Sequence, residues 1–234
     1  MIRHIEGPAG RLEALLDDPA WNCHIGPVRS EGAANPPADA YLDEPPRVAV
    51  VLAHPLPIGG GTMHNKVVYQ IAKGFCRTGA AVLRFNFRGV GLSEGAFDEG
   101  PGEMADYRAA LDFVAGRYPG VEIWAAGFSF GSWVAMSVGA DDERVTALIG
   151  VAPPVDKYDF SAVINSAKPK FLIQGDRDEL CPYQSAREFY ARLSAPKEMV
   201  TIDGADHLFD GKSSEVAEAV EDLLGDFSGR HTTE

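Results

Sequence analysis

Residues Gly127-Phe128-Ser129-Phe130-Gly131 form a G-x-S-x-G pentapeptide, in which two glycines frame a serine. Residues 121–126 (VEIWAA) before it are short and mostly apolar and predict a buried strand. Residues 132–138 (SWVAMSV) after it predict a buried helix. A serine at such a turn has a strained backbone, and glycines beside it prevent collisions between helix and strand. The pattern therefore predicts a strand–turn–helix unit that exposes the Ser129 hydroxyl.

A candidate general base lies in the loop at residues 203–209 (DGADHLF). His207 in this loop follows a predicted strand at 198–202 and precedes a predicted amphipathic helix at 213–227. This puts it at the carboxyl end of a strand, where the active sites of open α/β sheets assemble. Histidines in the terminal or irregular segments lack such a setting, so His207 is the histidine predicted to activate Ser129.

Three acidic residues compete for the role of the carboxylate that orients this histidine. Such a carboxylate must accept the imidazole N–H and stabilise the imidazolium. Asp178 is our choice, because it falls in a G-x-x-D-x-x-x-P pattern and lies far enough past the strand at 171–174 to reach His207. Asp176 remains the alternative, and could instead hold the loop by bonding backbone amides. Asp206, adjacent to the base, is expected to be a solvated loop residue.

The order serine, acid, histidine along the chain is that of the α/β-hydrolase fold. Two further motifs accompany it: residues 54–68 read HPLPIGGGTMHNKVV, and residues 84–93 read RFNFRGVGLS. Together with GFSFG, they resemble the small, carboxylesterase-like bacterial serine hydrolases of the α/β-hydrolase superfamily that lack a cap domain. The resemblance covers nearly all of residues 1–227. One departure is Leu56, where the family often has a second histidine, which changes the polarity of the pocket and not the triad.

The resemblance also implies an oxyanion hole. In this fold the loop after the strand at 47–53 donates one backbone amide, and the residue after the nucleophile donates the other. Pro55 and Pro57 carry no N–H, so we expect the donors to be the Leu56 and Phe130 amides. His54 has no set of His, Cys or carboxylate partners at metal-ligand spacing, so no metal is expected.

The implied fold class is α/β, with a mostly parallel eight-stranded sheet, helices on both faces and no cap domain. Strand candidates lie near residues 2–6, 11–16, 47–53, 81–87, 121–126, 145–151, 170–174 and 197–202. Helix candidates lie near residues 65–78, 102–117, 131–139, 182–193 and 213–227. The first two strands have no helix between them and should form an antiparallel edge, whereas the later alternation predicts a parallel sheet. We expect one domain at 1–227 and a disordered tail at 228–234.

The segment at 152–168 leaves room for one short helix around 158–165 and no cap, so we expect an open, shallow, apolar pocket. Such a pocket favours short or medium acyl groups over long lipid chains. The candidate substrate-binding residues are apolar or aromatic and lie near the proposed catalytic loops: Ile58, Phe97, Tyr158, Tyr183, Leu208 and Phe209.

Composition limits the partners and the compartment. The net charge of −13 disfavours nucleic acid and anionic membranes as partners. No apolar run of membrane-spanning length and no signal peptide are evident, so a cytoplasmic protein is expected. Cys23, Cys76 and Cys181 form no disulfide framework, which suits a reducing compartment. Cys181, close to the proposed acid, is expected to be a packing residue, with a redox-sensitive thiol as the alternative.

The sequence thus predicts a cofactor-free serine esterase that attacks small-molecule esters through an acyl-enzyme intermediate. Neither nucleic acid nor a stable membrane association is expected, and monomer or homodimer remains open. Thioesterase or lysophospholipase activity would use the same residues, and a peptidase is disfavoured because no charged specificity pocket is evident. A non-catalytic ligand-binding protein on the same scaffold is the alternative from a different class.

Overall fold

The computed structural model describes residues 2–18 and 46–229. Its strands are β1 (Ile2–Gly7), β2 (Gly10–Asp17), β3 (Val48–Ala53), β4 (Ala81–Phe85), β5 (Glu122–Phe128), β6 (Val145–Val151), β7 (Lys170–Gly175) and β8 (Lys197–Ile202). Its helices are α1 (Lys66–Arg77), α2 (Pro101–Arg117), α3 (Phe130–Asp141), α4 (Ser161–Asn165), α5 (Tyr183–Arg192) and α6 (Ser213–Gly229), with a 3-10 turn at Pro57–Gly59.

The eight strands form one sheet in the order β1-β2-β4-β3-β5-β6-β7-β8. The strand β2 runs antiparallel to both of its neighbours, β1 and β4, and all other pairs are parallel. The central strand β3 is buried along its whole length, as expected of a strand covered by helices on both faces. The predicted α/β fold with an antiparallel edge is confirmed.

Each face of the sheet packs against its own set of helices. On one face, α2 and α3 bury Tyr107, Leu111 and Val134 against the strands. On the other face, α1 and α6 pack against the sheet and against each other. Their close approach depends on Gly74, because a Cβ there would lie 2.5 Å from the Ala217 carbonyl oxygen. The two layers of helices hold the carboxyl ends of the parallel strands at one common edge.

Within residues 2–18 and 46–229, no cap domain covers that edge. The strand β6 ends at Val151, β7 begins at Lys170, and the connection between them contains the short helix α4 and no other helix. The expectation that only one short helix fits in this segment is therefore confirmed. Among the residues that the structure describes, no helix is long and apolar enough to cross a membrane.

The predicted end of the domain and the predicted tail lie near the end of the described residues. Helix α6 extends to Gly229, two positions beyond the predicted end of the domain at 227. Residues 230–234 of the predicted tail and Cys23 lie outside the described residues. The domain limits therefore stay a prediction.

Buried polar contacts anchor the loops after β3 and β4. The Asn86 side chain accepts a hydrogen bond from the Met63 N–H and donates to the Glu13 carboxylate, both at 2.8 Å. Arg88 forms a two-pronged ion pair with the fully buried Asp106. Both residues therefore bind neighbouring protein groups and have a structural role in these loops.

Candidate active site

Four loops that meet at the carboxyl edge of the sheet carry the predicted site residues. The loop after β3 carries Leu56, the turn after β5 carries Ser129, and the loops after β7 and β8 carry Asp178 and His207. The last two loops are joined directly, because the Arg177 N–H donates to the Ala205 carbonyl at 3.0 Å. This edge is where parallel sheets assemble ligand sites.

The turn at Ser129 has the strained backbone that the pentapeptide predicts. Ser129 has φ 53° and ψ −123°. Residues other than glycine rarely adopt a positive φ. Its N–H donates to the Val151 carbonyl at 2.8 Å, which fixes the turn against β6. A Cβ at Gly127 would lie 2.2 Å from the Gly131 carbonyl oxygen, and a Cβ at Gly131 would lie 2.4 Å from that of His54. Both glycines are therefore required by direct contact with backbone.

A chain of two hydrogen bonds links the serine to the acid. His207 Nε2 lies 3.0 Å from Ser129 Oγ, and His207 Nδ1 lies 2.8 Å from Asp178 Oδ2. The Asp178 side chain is completely buried, whereas that of His207 is 11% exposed. The imidazole packs on the Phe128 ring, with the ring centroids 5.3 Å apart. The histidine is thus held between a buried acceptor and a partly exposed hydroxyl.

The Asp178 carboxylate accepts four hydrogen bonds. The backbone N–H groups of Leu180 and Cys181 donate to Oδ1 at 2.9 and 2.7 Å. His207 Nδ1 and Gln174 Nε2 meet the other oxygen, Oδ2, at 2.8 and 3.1 Å. Four donors and no acceptor surround this carboxylate, which suits its acceptor-only ionised form. Sequence reasoning missed Gln174, although a polar residue at the end of an apolar strand was a visible signal.

The two competing acids contact backbone amides and not the imidazole. The Asp176 carboxylate accepts from the Gly204 N–H at 2.5 Å and so ties the loop after β7 to the loop after β8. The Asp206 carboxylate accepts from the N–H groups of Leu208 and Asp210 within its own loop. Of the three candidates, Asp178 is the one hydrogen-bonded to His207.

His54 shapes the loop expected to supply an oxyanion donor. Its ring is fully buried, with Nδ1 2.6 Å from the Pro55 carbonyl oxygen and Nε2 3.1 Å from the Phe87 nitrogen. The Phe87 N–H can only donate, so Nε2 must be the acceptor and Nδ1 carries the proton. Burial lowers the pKa of His54 to about 4, against a smaller opposite effect of the Pro55 carbonyl. His54 is therefore neutral and structural at neutral pH.

We expect the buried imidazole of His54 to make folding pH-dependent. The pKa of His54 falls from 6.5 to about 4 on folding, so the unfolded chain binds a proton more readily. Above pH 6.5 the neutral imidazole of His54 makes its full contribution to stability. As the pH falls to 4, the free energy of unfolding decreases by about 3 kcal/mol. Urea titrations of wild type and His54→Gln should converge over this range, because glutamine does not titrate. A constant difference between the two would contradict the expectation.

Leu56 and Phe130 have backbone amides available for a ligand. The Leu56 carbonyl accepts from Gly59 and Gly61, but the Leu56 N–H donates to no acceptor in the part of the chain that the structure describes. Phe130 is the first residue of α3, where helix geometry leaves the N–H without an intrahelical partner. The contact of Gly131 with the His54 carbonyl brings this helix terminus against the loop after β3. The two amides thus belong to adjoining elements.

An aromatic cluster borders the serine turn. Phe130, directly after Ser129, contacts Phe97, Trp133 and Tyr158 with centroid separations of 5.6 to 5.9 Å. Tyr158 also stacks on Trp133 at 4.3 Å. Of the predicted substrate-binding residues, Phe97 and Tyr158 therefore both contact Phe130, the residue that follows the nucleophile candidate. Tyr158 also lines a cavity of about 300 Å³ between α4 and α5.

The other four predicted substrate-binding residues divide into two groups. Ile58 and Leu208, in the loops after β3 and β8, are 73% and 50% exposed and can contact a ligand. Phe209 is fully buried against Phe128, since its positive φ of 52° accompanies a side chain turned into the core. The half-buried Tyr183 contacts the Thr201 hydroxyl of β8, and its place in the pocket stays a prediction. The expectation that Phe209 lines the pocket is wrong, because its side chain is fully buried.

One group of potential metal ligands occurs in the described ranges. Ligand atoms of Asp178, Cys181 and His207 lie within 4.8 Å of one another. Asp178 and His207 already bind each other, and His207 also contacts Ser129. Burial, reinforced by the Asp178 charge, raises the pKa of the Cys181 thiol to about 12, which disfavours the thiolate that a metal requires. The group fits a hydrogen-bonded relay better than a metal centre.

Comparisons with known proteins identify a family and a relative of this chain. A family model described as serine aminopeptidase, S33 (Hydrolase_4) matches residues 44–168. An uncharacterized protein of Rickettsia prowazekii (strain Madrid E) is 40% identical over 186 residues, which cover 76% of this chain and 78% of that protein.

Two solved structures are similar over nearly their full length. An α/β serine hydrolase homologue from Coxiella burnetii has 36% identity and a TM-score of 0.80, covering 96% of this chain and 97% of that chain. XC6422 from Xanthomonas campestris, a serine hydrolase without a lid, has 31% identity and a TM-score of 0.81, covering 97% and 94%. Both likenesses therefore include the sheet edge at which Ser129 and His207 meet.

Proposed function

Because the chain belongs to the Hydrolase_4 family of α/β serine hydrolases, we propose that it cleaves carboxylic esters of short to medium acyl chains through an acyl-enzyme intermediate. The observation that carries the proposal is the hydrogen-bonded chain Ser129–His207–Asp178, with contacts of 3.0 and 2.8 Å. A hydroxyl, an imidazole and a buried carboxylate in this order are the parts of a nucleophilic triad.

In the first half of the proposed reaction, His207 Nε2 takes the proton of Ser129 Oγ as this oxygen attacks the acyl carbonyl carbon. The carbonyl oxygen becomes an oxyanion, and the Leu56 and Phe130 N–H groups donate to it. Asp178 stabilises the imidazolium, which then protonates the departing alkoxide. The products of this half are the free alcohol and Ser129 acylated at Oγ.

In the second half, His207 takes a proton from water, and the hydroxide formed attacks the acyl carbonyl carbon. The tetrahedral intermediate collapses, Ser129 Oγ leaves, and His207 returns the proton to it. The acid product departs and the triad is restored. No metal or organic cofactor is needed for either half.

The proposed preference for short to medium acyl groups rests on the shape of the site. Phe97 and Tyr158 pack against Phe130, the residue after Ser129, and the exposed Ile58 and Leu208 lie in the loops after β3 and β8. No cap segment in the described residues adds a long enclosed tunnel for a lipid chain. A cytoplasmic location and a small-molecule ester partner belong to the same proposal, with the net charge of −13 disfavouring polyanionic partners.

The test is a series of p-nitrophenyl esters from acetate to laurate, with burst-phase kinetics and labelling by a fluorophosphonate probe. We expect a burst of nitrophenol, probe labelling at Ser129, and kcat/KM that declines beyond medium chain lengths. A thioester series of the same acyl groups forms the second arm. Turnover of thioesters alone would replace the esterase by a thioesterase, and failure of both turnover and labelling would favour a ligand-binding protein.

The proposed oxyanion donor, the Leu56 N–H, can be removed by one substitution at Leu56 itself. Leu56 has φ −48° and ψ 119°, which proline can adopt, so Leu56→Pro removes one N–H at little conformational cost. We expect kcat to fall about 100- to 1,000-fold, as for loss of one oxyanion donor. Leu56→Ala is the matched control, because it removes the side chain and keeps the amide. Equal activity in the proline and alanine variants would exclude this amide from the oxyanion hole.

A further inference from the structure

Gln174 is a buried amide residue at the end of β7. Its side chain contacts Asp178 and the loop that carries Asp178. It is the one polar side chain in residues 171–175, and it is completely buried. Its Nε2 lies 3.1 Å from Asp178 Oδ2 and 2.9 Å from the Cys181 carbonyl oxygen. Both amide hydrogens therefore have an acceptor, one on the acid and one at the end of the loop that carries it.

The chemistry of the neighbours fixes which end of the amide faces Asp178. The Asp178 carboxylate and the Cys181 carbonyl are both acceptors, so the NH₂ group must face them. The reversed amide would set its oxygen against two other oxygens. Gln174 therefore donates to the same carboxylate oxygen that receives the proton of His207 Nδ1.

The other end of the amide makes no such contact. Gln174 Oε1 is buried and has no hydrogen-bond partner in the described part of the chain. Leaving a buried acceptor unpaired costs stability, and an apolar side chain of the same shape would avoid that cost. The acceptor half of the amide therefore adds a cost, and the donor half, which faces Asp178 and the Cys181 carbonyl, accounts for an amide at this position.

We propose that Gln174 is a positioning residue for the triad: its NH₂ group holds the Asp178 carboxylate in the orientation that accepts the His207 proton and shares the negative charge of Oδ2. The inference rests on the proposed triad function. Gln174 does not contact the serine. Because it is buried under the loop, it does not contact a bound ester either. It acts on the reaction only through Asp178.

Two consequences separate this role from a packing role. Without the Gln174 donor, Oδ2 shares its charge with fewer hydrogen bonds and holds the imidazolium proton more strongly. The acid limb of the pH profile of kcat/KM then moves to higher pH, and the shared Nδ1 proton resonates further downfield. A side chain that merely fills space would change neither quantity once the folded fraction is accounted for.

The experiment compares wild type, Gln174→Met and Gln174→Glu, with Gln184→Leu as a control, because Gln184 is an exposed glutamine that donates a hydrogen bond to Glu188. Methionine keeps the length of the side chain and deletes the donor. Active sites are counted by fluorophosphonate labelling run to completion, and the low-field proton spectrum is recorded for each protein. Gln174→Met should lose about tenfold in kcat, with KM unchanged, as typical for loss of a supporting hydrogen bond. Its low-field resonance and acid limb should shift as described, while Gln184→Leu should match wild type.

Gln174→Glu adds a titratable donor at the same place. When the new carboxyl group is protonated, it can still donate a hydrogen bond to Asp178. When it is ionised, its negative charge repels the Asp178 carboxylate. We therefore expect activity near that of wild type at low pH and a new alkaline limb that the methionine variant lacks. This variant also keeps the test decisive if Gln174→Met does not fold.

An unshifted low-field resonance and acid limb in Gln174→Met, or the absence of a new alkaline limb in Gln174→Glu, would overturn the proposal. The failure of the proposed function is seen separately, in a wild type that neither turns over esters nor labels with the probe. In that case the low-field resonance still reports whether Gln174 acts on the Asp178–His207 pair.

Discussion

Ser129→Ala is expected to lower kcat for ester hydrolysis by about five to six orders of magnitude, as for loss of a triad nucleophile. Ser129 Oγ is the hydroxyl hydrogen-bonded to His207 Nε2, and alanine offers no atom that can form the acyl-enzyme. The fold should persist, because the hydrogen bond from the residue 129 N–H to the Val151 carbonyl does not involve the side chain. Residual turnover would come from the oxyanion donors and substrate binding alone.

The measurement is the burst and steady-state rate with a p-nitrophenyl ester, alongside the thermal unfolding temperature. Ser137→Ala is the matched control, since Ser137 lies on helix α3, which begins directly after Ser129, and its buried hydroxyl has no partner in the described residues. We expect that control to keep both activity and stability. Substantial turnover by Ser129→Ala would assign the nucleophile elsewhere and remove the basis of the proposed mechanism.

Asp178→Asn is expected to lower kcat by about 10⁴-fold, which corresponds to about 5 kcal/mol of transition-state stabilisation. The two backbone donors at Oδ1 keep the remaining side-chain oxygen on their side. The new NH₂ group then faces His207 and Gln174 in place of Oδ2. An amide donor there favours the tautomer with the proton on Nε2, which cannot accept the Ser129 proton.

Asp176→Asn serves as the matched comparison, because it makes the same change two residues away. Asp176 accepts from the Gly204 N–H and has no contact with the imidazole, and an asparagine oxygen can accept the same bond. We expect less than about a tenfold loss of kcat, as for a residue that supports a loop. Both variants should be compared by kcat and by unfolding temperature. If Asp176→Asn were the more damaging one, the acid of the triad would be Asp176.

The fold was predictable because its signals are local. The apolar run at β3 and the alternation of strands with amphipathic helices predict a parallel sheet from neighbouring residues alone. The nucleophile turn was predictable for a similar reason, since Gly127 and Gly131 lie against backbone atoms within 2.5 Å of where a side chain would begin. The steric demand at the two glycines and the periodicity of apolar residues in the strand and helix leave few backbone conformations for such a segment.

The pocket was less predictable, as Phe209 demonstrates. It is an aromatic residue in a catalytic loop, and its type alone favoured contact with a substrate. A positive φ accompanies the turn of its side chain into the core, where it packs against Phe128. This backbone rotation cannot be inferred from the adjacent sequence.

Local patterns along the chain predict the sheet of parallel strands, the strained serine turn, and the histidine that follows the last strand. Contacts of the folded chain are needed to show that Asp178 faces the imidazole while Asp176 binds Gly204, and that Gln174 lies beneath the acid. The difference arises from the range of the interactions. Strand periodicity and glycine sterics act between near neighbours, whereas the direction of a loop side chain depends on partners that only the folded chain brings together.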